Sequence, residues 1–207
     1  MRIDVIESKF GSNCYLVHID GFVYIIDPSV NVNIINKYIK EEEKVKGILL
    51  THGHIDHIYF LNEVQDYFKC TVYASTYAKD IIEDENHNFS FDMGIDKKIK
   101  LKNNVEREDN DKIDGRIRAL YTPGHSIDSM CYQIEDKLFT GDTLFDGSIG
   151  RSDLYSGSSE TLYKSIRRIM KEDDLFIYPG HGDTSNLKMQ ILVNPYVMDI
   201  LKRRWGD

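Results

Sequence analysis

The run Thr51-His-Gly-His-Ile-Asp-His57 constrains this chain more than any other feature. It follows Val45 to Leu50, which reads as a buried strand, and precedes Leu61, Val64 and Phe68 at helical spacing, so a helix starts near Asp56. His52 and His54 are two apart in extended chain. Their side chains therefore point the same way and can converge on one ion. Asp56 and His57 come after the turn, where they can face a second. A lone histidine after a strand is ordinarily structural, but four metal-capable residues within six positions are not what packing requires.

Three later segments repeat the pattern of a ligand at a strand end. His125 lies in Thr122-Pro-Gly-His-Ser126 after a strand ending at Tyr121. Asp142 lies in Phe139-Thr-Gly-Asp-Thr143, and His181 in Tyr178-Pro-Gly-His-Gly182. A glycine precedes each ligand, and glycine permits the tight turn that aims a side chain over a sheet edge. Of the seven histidines, His18 and His87 have no such context and are left outside the candidate site.

The rest of the chain reads as mixed α/β. Arg2 to Asp27 supplies three short strands, of which Phe22 to Ile26 is the strongest, and a short helix is expected from Asn33 to Lys40. Strands are expected at Cys70 to Ala74, two or three between Lys97 and Tyr121, a hairpin at Met130–Ile134 and Lys137–Thr140, and a last strand at Leu175 to Tyr178. Ser158 can cap a helix carrying Leu162, Ile166, Ile169 and Met170, and a final helix begins near Pro195. Four prolines and no linker-like tract lead to the expectation of one domain over residues 1–207.

A net charge of −8 disfavours nucleic acid. The one basic patch, Lys202, Arg203 and Arg204, reads as a helix end complementing its own dipole. Cys14, Cys70 and Cys131 are far apart and outside any CxxC pattern, so buried thiols are expected rather than disulfides. No secretory or membrane-spanning segment is visible, and the expected location is the cytoplasm, with no membrane or nucleic-acid partner.

On these motifs the chain resembles the metallo-β-lactamase fold superfamily, from its N-terminal strands through Pro195. The resemblance implies an αββα four-layer sandwich, two mixed sheets flanked by helices, with the site at one edge. It implies that His52, His54 and His125 hold one metal, that Asp56, His57 and His181 hold another, and that Asp142 bridges them. Asp56 and His57 also stand as the catalytic candidates. Such a set suits two divalent ions, zinc first and iron or manganese as alternatives, sharing an acidified water. The superfamily's diiron oxygen-reducing branch typically carries Glu where His54 stands, so histidine here argues for hydrolysis.

Gly141-Asp-Thr-Leu-Phe-Asp-Gly-Ser-Ile-Gly-Arg-Ser-Asp-Leu154, with Pro179-Gly-His-Gly182 and Asn194-Pro-Tyr196, is similar to the glyoxalase II-like subgroup. That resemblance implies a hydroxyacylglutathione hydrolase-type thioesterase acting on a small-molecule thioester or ester through a metal-bridging hydroxide, as a monomer or homodimer. The alternatives are a mononuclear iron persulfide dioxygenase of the same superfamily and a lactonase. Larger glyoxalase II enzymes append a helical domain whose basic residues grip glutathione. Only 26 residues follow His181 here, so that grip does not transfer. Asp153 is expected to support a metal-bound histidine, Arg151 to brace its loop, and Asp27 to act near the first metal. Tyr15 and Phe145 are expected in the core, with pocket lining as the alternative.

Overall fold

The structure, a computed structural model, describes residues 1–203; Arg204 of the basic patch lies outside them. The chain divides into two compact units, residues 1–108 and residue 109 onward.

The N-terminal unit is built on a six-stranded sheet: β1 (Arg2–Glu7), β2 (Asn13–Ile19), β3 (Phe22–Ile26), β4 (Lys44–Leu49), β5 (Thr71–Ser75) and β6 (Asn104–Arg107), adjacent in that order. The first three pair antiparallel, as short connections allow; β3 to β6 pair parallel, as longer crossovers require. Those crossovers carry α1 (Val32–Ile35), α2 (Ile55–Ile58), α3 (Leu61–Phe68) and α4 (Ala78–Ile82). Ile55, Ile58, Leu61, Val64, Ala78 and Ile82 from the helices share one buried cluster with Ile25, Ile48, Val72 and Ala74 from the sheet. Each Ile, Leu or Val among them contributes about 1.5–3 kcal/mol, an upper figure because the unfolded chain is already partly collapsed.

The C-terminal unit repeats the plan with different wiring. Its chain order is β7 (Lys112–Ile113), β8 (Ile117–Tyr121), β9 (Met130–Ile134), β10 (Lys137–Gly141), β11 (Leu144–Phe145), β12 (Ser148–Ile149), α5 (Ser159–Ile169), β13 (Phe176–Pro179), β14 (Ser185–Asn186), α6 (Leu187–Val193) and α7 (Pro195–Lys202). The sheet order is β14-β13-β10-β9-β8-β7, with only β10 and β13 parallel, while β11 and β12 form a separate hairpin. Ser158 Oγ accepts the Thr161 N–H and starts α5. Leu162, Ile166 and Ile169 of that helix then pack on Leu120, Cys131, Leu138 and Ile177.

Both sheets are mixed and helix-flanked, as the motifs imply. Three local expectations need adjustment. The helix of Asn33 to Lys40 closes after Ile35 and tightens into i→i+3 turns through Tyr38. The helix near Asp56 is two helices, separated by Tyr59 and Phe60. Leu187–Val193, unassigned from sequence, is helical because Asn186 Oδ1 accepts the Met189 N–H at 2.9 Å. Cys14, Cys70 and Cys131 are buried free thiols, pushed up by burial to about 12, 11 and 11 respectively. Among the described residues no helix is long and apolar enough to cross a membrane.

The Asn194-Pro-Tyr196 motif acts as a knot beneath the loop after Asp142. Asn194 Oδ1 caps α7 through the Tyr196 and Val197 N–H groups, at 3.1 and 3.2 Å. Its Nδ2 donates to the Ser148 carbonyl and to Gln190 Oε1, both at 2.9 Å. Gln190 in turn accepts the Gly147 N–H and donates to Asp146. Asn194→Ala removes a cap and leaves the Ser148 carbonyl without its amide donor, so it should lower unfolding free energy by about 2–4 kcal/mol in a denaturant titration. A loss under 1 kcal/mol would show the network to be dispensable.

Candidate metal centre

Four of the seven predicted ligands sit just beyond a strand end. His52 follows β4, His125 follows β8, Asp142 follows β10 and His181 follows β13. The apolar strand fixes where the backbone emerges, and the polar residue after it is free to point along the sheet edge.

In the N-terminal unit the four residues of the first motif gather. The His52 ring centroid lies 4.7 Å from that of His54 and 4.3 Å from that of His57. His57 Nε2 lies 3.5 Å from Asp56 Oδ2. All three histidines are buried. His54 is the N-cap of α2, in extended conformation, and Asp56 lies in the first turn, where the helix dipole favours a carboxylate.

Asp27 organises this group. It ends β3 with φ +52°, a left-handed conformation that aspartate tolerates, and is buried. Its Oδ1 accepts the Thr51 N–H at 2.8 Å; its Oδ2 accepts the Thr51 hydroxyl at 2.6 Å and His57 Nδ1–H at 3.0 Å. Asp27, His52 and His57 each offer a ligand-type atom within 4.8 Å of the others. Thr51 Oγ1 spends its one proton on Asp27, so toward His52 Nδ1, at 3.1 Å, it can only accept. The partners thus assign the ring protons of His52 and His57 to Nδ1 and the lone pairs to Nε2, the tautomer a cation takes. Asp27 therefore braces His57 directly and His52 through Thr51.

In the C-terminal unit Asp142 stands between two imidazoles. His125 Nε2 and His181 Nε2 lie 3.7 and 3.6 Å from the same oxygen, Asp142 Oδ2. His125 Nδ1 donates to the Arg151 backbone carbonyl at 2.8 Å, which again leaves Nε2 as the lone-pair nitrogen. The expected partner was the Asp153 carboxylate. Arg151 instead grips Asp153 in a bidentate, exposed clasp at 2.7 and 2.8 Å, which holds that carboxyl down at about 2. The support for His125 is a backbone group, which no side-chain reading reveals.

Two glycines make this geometry possible. A Cβ on Gly150 would lie 1.7 Å from the Asp142 carbonyl oxygen, so only glycine lets the loop pass and bring the Arg151 carbonyl to His125. Gly124 has φ +137°, and a Cβ there would meet the Leu162 nitrogen of α5 at 2.2 Å. The third expected turn differs: Gly180 is absent from the positive-φ residues, and Gly182, after His181, takes that conformation.

Phe145 lies at the site, its ring 6.1 Å from that of His181, whereas Tyr15 is core-buried. Phe89 escaped the sequence reading. Its segment is a polar tract, yet the Asn88 carbonyl accepts the Ile55 N–H at 2.8 Å and the Phe89 ring lies 6.5 Å from His54, with φ +70°. His18 is committed elsewhere, between Asp4 and Glu43, and His87 contacts Asp80.

Imidazole nitrogens and carboxylate oxygens, oriented by buried acceptors, fit a divalent transition-metal ion such as zinc. Comparison with known proteins points to a metal-dependent superfamily. The family model described as the metallo-beta-lactamase superfamily matches residues 8–181. A probable metallo-hydrolase of Bacillus subtilis (strain 168), YqgX, is 34% identical over 194 residues, covering 90% of this chain and 92% of its own. The crystal structure of the B3 metallo-beta-lactamase BLEG-1 superposes with a TM-score of 0.86 at 29% identity, covering 95% of this chain and 99% of that one. A protein solved in a di-iron-bound form gives a TM-score of 0.80 at 25% identity, over 89% of this chain and 94% of its own.

Asp27→Asn keeps the shape but sets an amide opposite the His57 Nδ1–H. Zinc affinity, read by chelator competition, should fall about 10–100-fold while the circular dichroism spectrum holds. Unchanged affinity would remove Asp27 from the account.

Proposed function

The chain belongs to the metallo-beta-lactamase superfamily, and from that premise we propose that it is a dinuclear metal-dependent hydrolase of thioesters, with residues 1–207 acting as one domain. In this reading His52, His54 and His125 hold one divalent cation. Asp56, His57 and His181 hold the other, and Asp142 is shared.

The observation that carries the reading is Asp142. One oxygen of its carboxylate is faced at nearly equal distance by His125 and His181, which the proposal assigns to different ions. A carboxylate oxygen faced by two imidazoles, of which His125 presents its lone-pair Nε2, is what a pair of cations would require of it. Zinc is proposed because imidazole nitrogens dominate the set. The di-iron relative makes iron the competing metal.

When bound, the two cations supply Lewis acidity toward a carbonyl oxygen and acidify water near neutral pH. The protein's own contribution is orientation. Asp27 and the Arg151 carbonyl hold His57 and His125 by Nδ1, so that neither ring can turn. Asp56 and Asp142 bring negative charge, and as carboxylates they can accept a proton from water. Phe89 beside His54 and Phe145 beside His181 give the substrate apolar contacts. A thioester suits such a site because a thiolate, with a thiol pKa near 8.5, leaves with little need of a proton donor.

Zinc-loaded protein should hydrolyse S-lactoylglutathione. His54→Ala and Asp142→Ala should each reduce turnover at least about 100-fold with the fold intact. Substantial activity in both variants would contradict the ligand assignment. Absence of thioester loss, together with bound iron and oxygen uptake on glutathione persulfide, would replace hydrolysis by dioxygenation.

A further inference from the structure

A cationic, aromatic ledge lies next in sequence to the first metal motif, and nothing in the mechanism above uses it. Tyr59 caps α2, two residues after His57. The loop Ser8–Ser12 is joined to the same helix by Ser12 Oγ, which donates to the Asp56 carbonyl at 2.6 Å. That loop is internally pinned: Ser8 N–H donates to the Ser12 carbonyl at 2.8 Å, and the two serine hydroxyls are 2.8 Å apart. It delivers Phe10 against Tyr59, ring centroids 5.2 Å apart, and Phe60 packs on Tyr59 at 4.8 Å.

Two ammonium groups converge on this ledge. Lys9 Nζ lies 4.2 Å from the Tyr59 centroid and 4.8 Å from that of Phe10. Lys97 Nζ lies 3.8 Å from the Tyr59 centroid and 4.7 Å from that of Phe60. Among the described residues neither ammonium has a carboxylate partner, and the Tyr59 hydroxyl has no acceptor. Glu63, the acid whose charge acts on Lys97, spends Oε1 on the Val32 N–H at 3.1 Å. Burial lowers the Lys97 pKa and the neighbouring Lys9 charge lowers it further, against the opposing pull of Tyr59 and Glu63.

In a chain of net charge −8, two like charges held over one ring with no carboxylate in ion-pair contact among the described residues are conspicuous. Cation–π contacts compensate them only in part. An arriving anion would accept from both ammoniums and the phenol, and would relieve their mutual repulsion.

We propose that Lys9, Lys97 and Tyr59 form a subsite for an anionic group of the substrate, a carboxylate or a phosphate, so that the preferred thioesters are acidic ones. This rests on the hydrolase reading for its substrate, but its geometry lies wholly within residues 9–97 of the N-terminal unit.

The test compares zinc-loaded wild type, Lys9→Ala/Lys97→Ala and Lys9→Arg/Lys97→Arg on three substrates. These are S-lactoylglutathione, which carries carboxylates; acetyl-coenzyme A, which carries phosphates; and the uncharged S-lactoyl-N-acetylcysteamine. In the alanine variant the ratio of kcat/KM for the preferred anionic thioester over the uncharged one should fall about tenfold, through KM, with recovery in the arginine variant. Whichever anionic arm loses more identifies the group. An unchanged ratio in both arms overturns the subsite.

Binding is read independently of turnover. S-methylglutathione or inorganic phosphate should protect Lys9 and Lys97 from acetylation by acetic anhydride, followed by peptide mass spectrometry. Protection by neither overturns the subsite. Failure of the wild type to cleave any of the three thioesters counts against the hydrolase reading instead, and the protection result then decides the subsite alone.

Discussion

The buried carboxylate of Asp27 is the interaction on which the candidate ligands of the N-terminal unit depend. It closes the ends of β3 and β4 through Thr51 and fixes His57, 30 residues further on, in one tautomer. Burying a carboxylate is costly unless hydrogen bonds compensate it, and here three donors do so. Hydrogen bonds to a charged group contribute about 1.5–3 kcal/mol each, enough to hold the left-handed backbone at Asp27 and set the ring rotation of His57 together. The parallel pairing of β3 and β4 brings these residues to one sheet edge. Fold and site chemistry are therefore coupled through a single side chain.

The C-terminal unit orients its own candidate ligands with different parts. His125 is braced by a main-chain carbonyl, and the loop that presents that carbonyl can pass Asp142 only because residue 150 is glycine. The loop's far end is held by Gln190 and Asn194 on the final helices. Residues beyond His181 thus support the loop that follows Asp142.

The strands were legible because each ligand follows a short apolar run that can only be buried, and the histidine spacing in the first motif specified its turn. The Ser158 helix was legible from its cap and its apolar period. What stayed hidden depends on partners distant in sequence or on main-chain atoms. Asp27 pairs with His57 across 30 residues, Arg151 contributes a carbonyl rather than its guanidinium, and Phe89 sits in a tract whose composition reads as solvated loop. Leu187–Val193 escaped for another reason. Its composition suits strand as well as helix, and the deciding contact, from Asn186, is a cap.

The ligand set as a whole is tested most directly by metal stoichiometry. Zinc should bind wild-type protein at about two ions per chain, measured by calorimetric titration and by elemental analysis after dialysis, and Asp142→Ala should retain no more than about one. A wild-type protein that retains no zinc or other divalent metal, or an Asp142→Ala variant that still holds the full complement, would contradict the account.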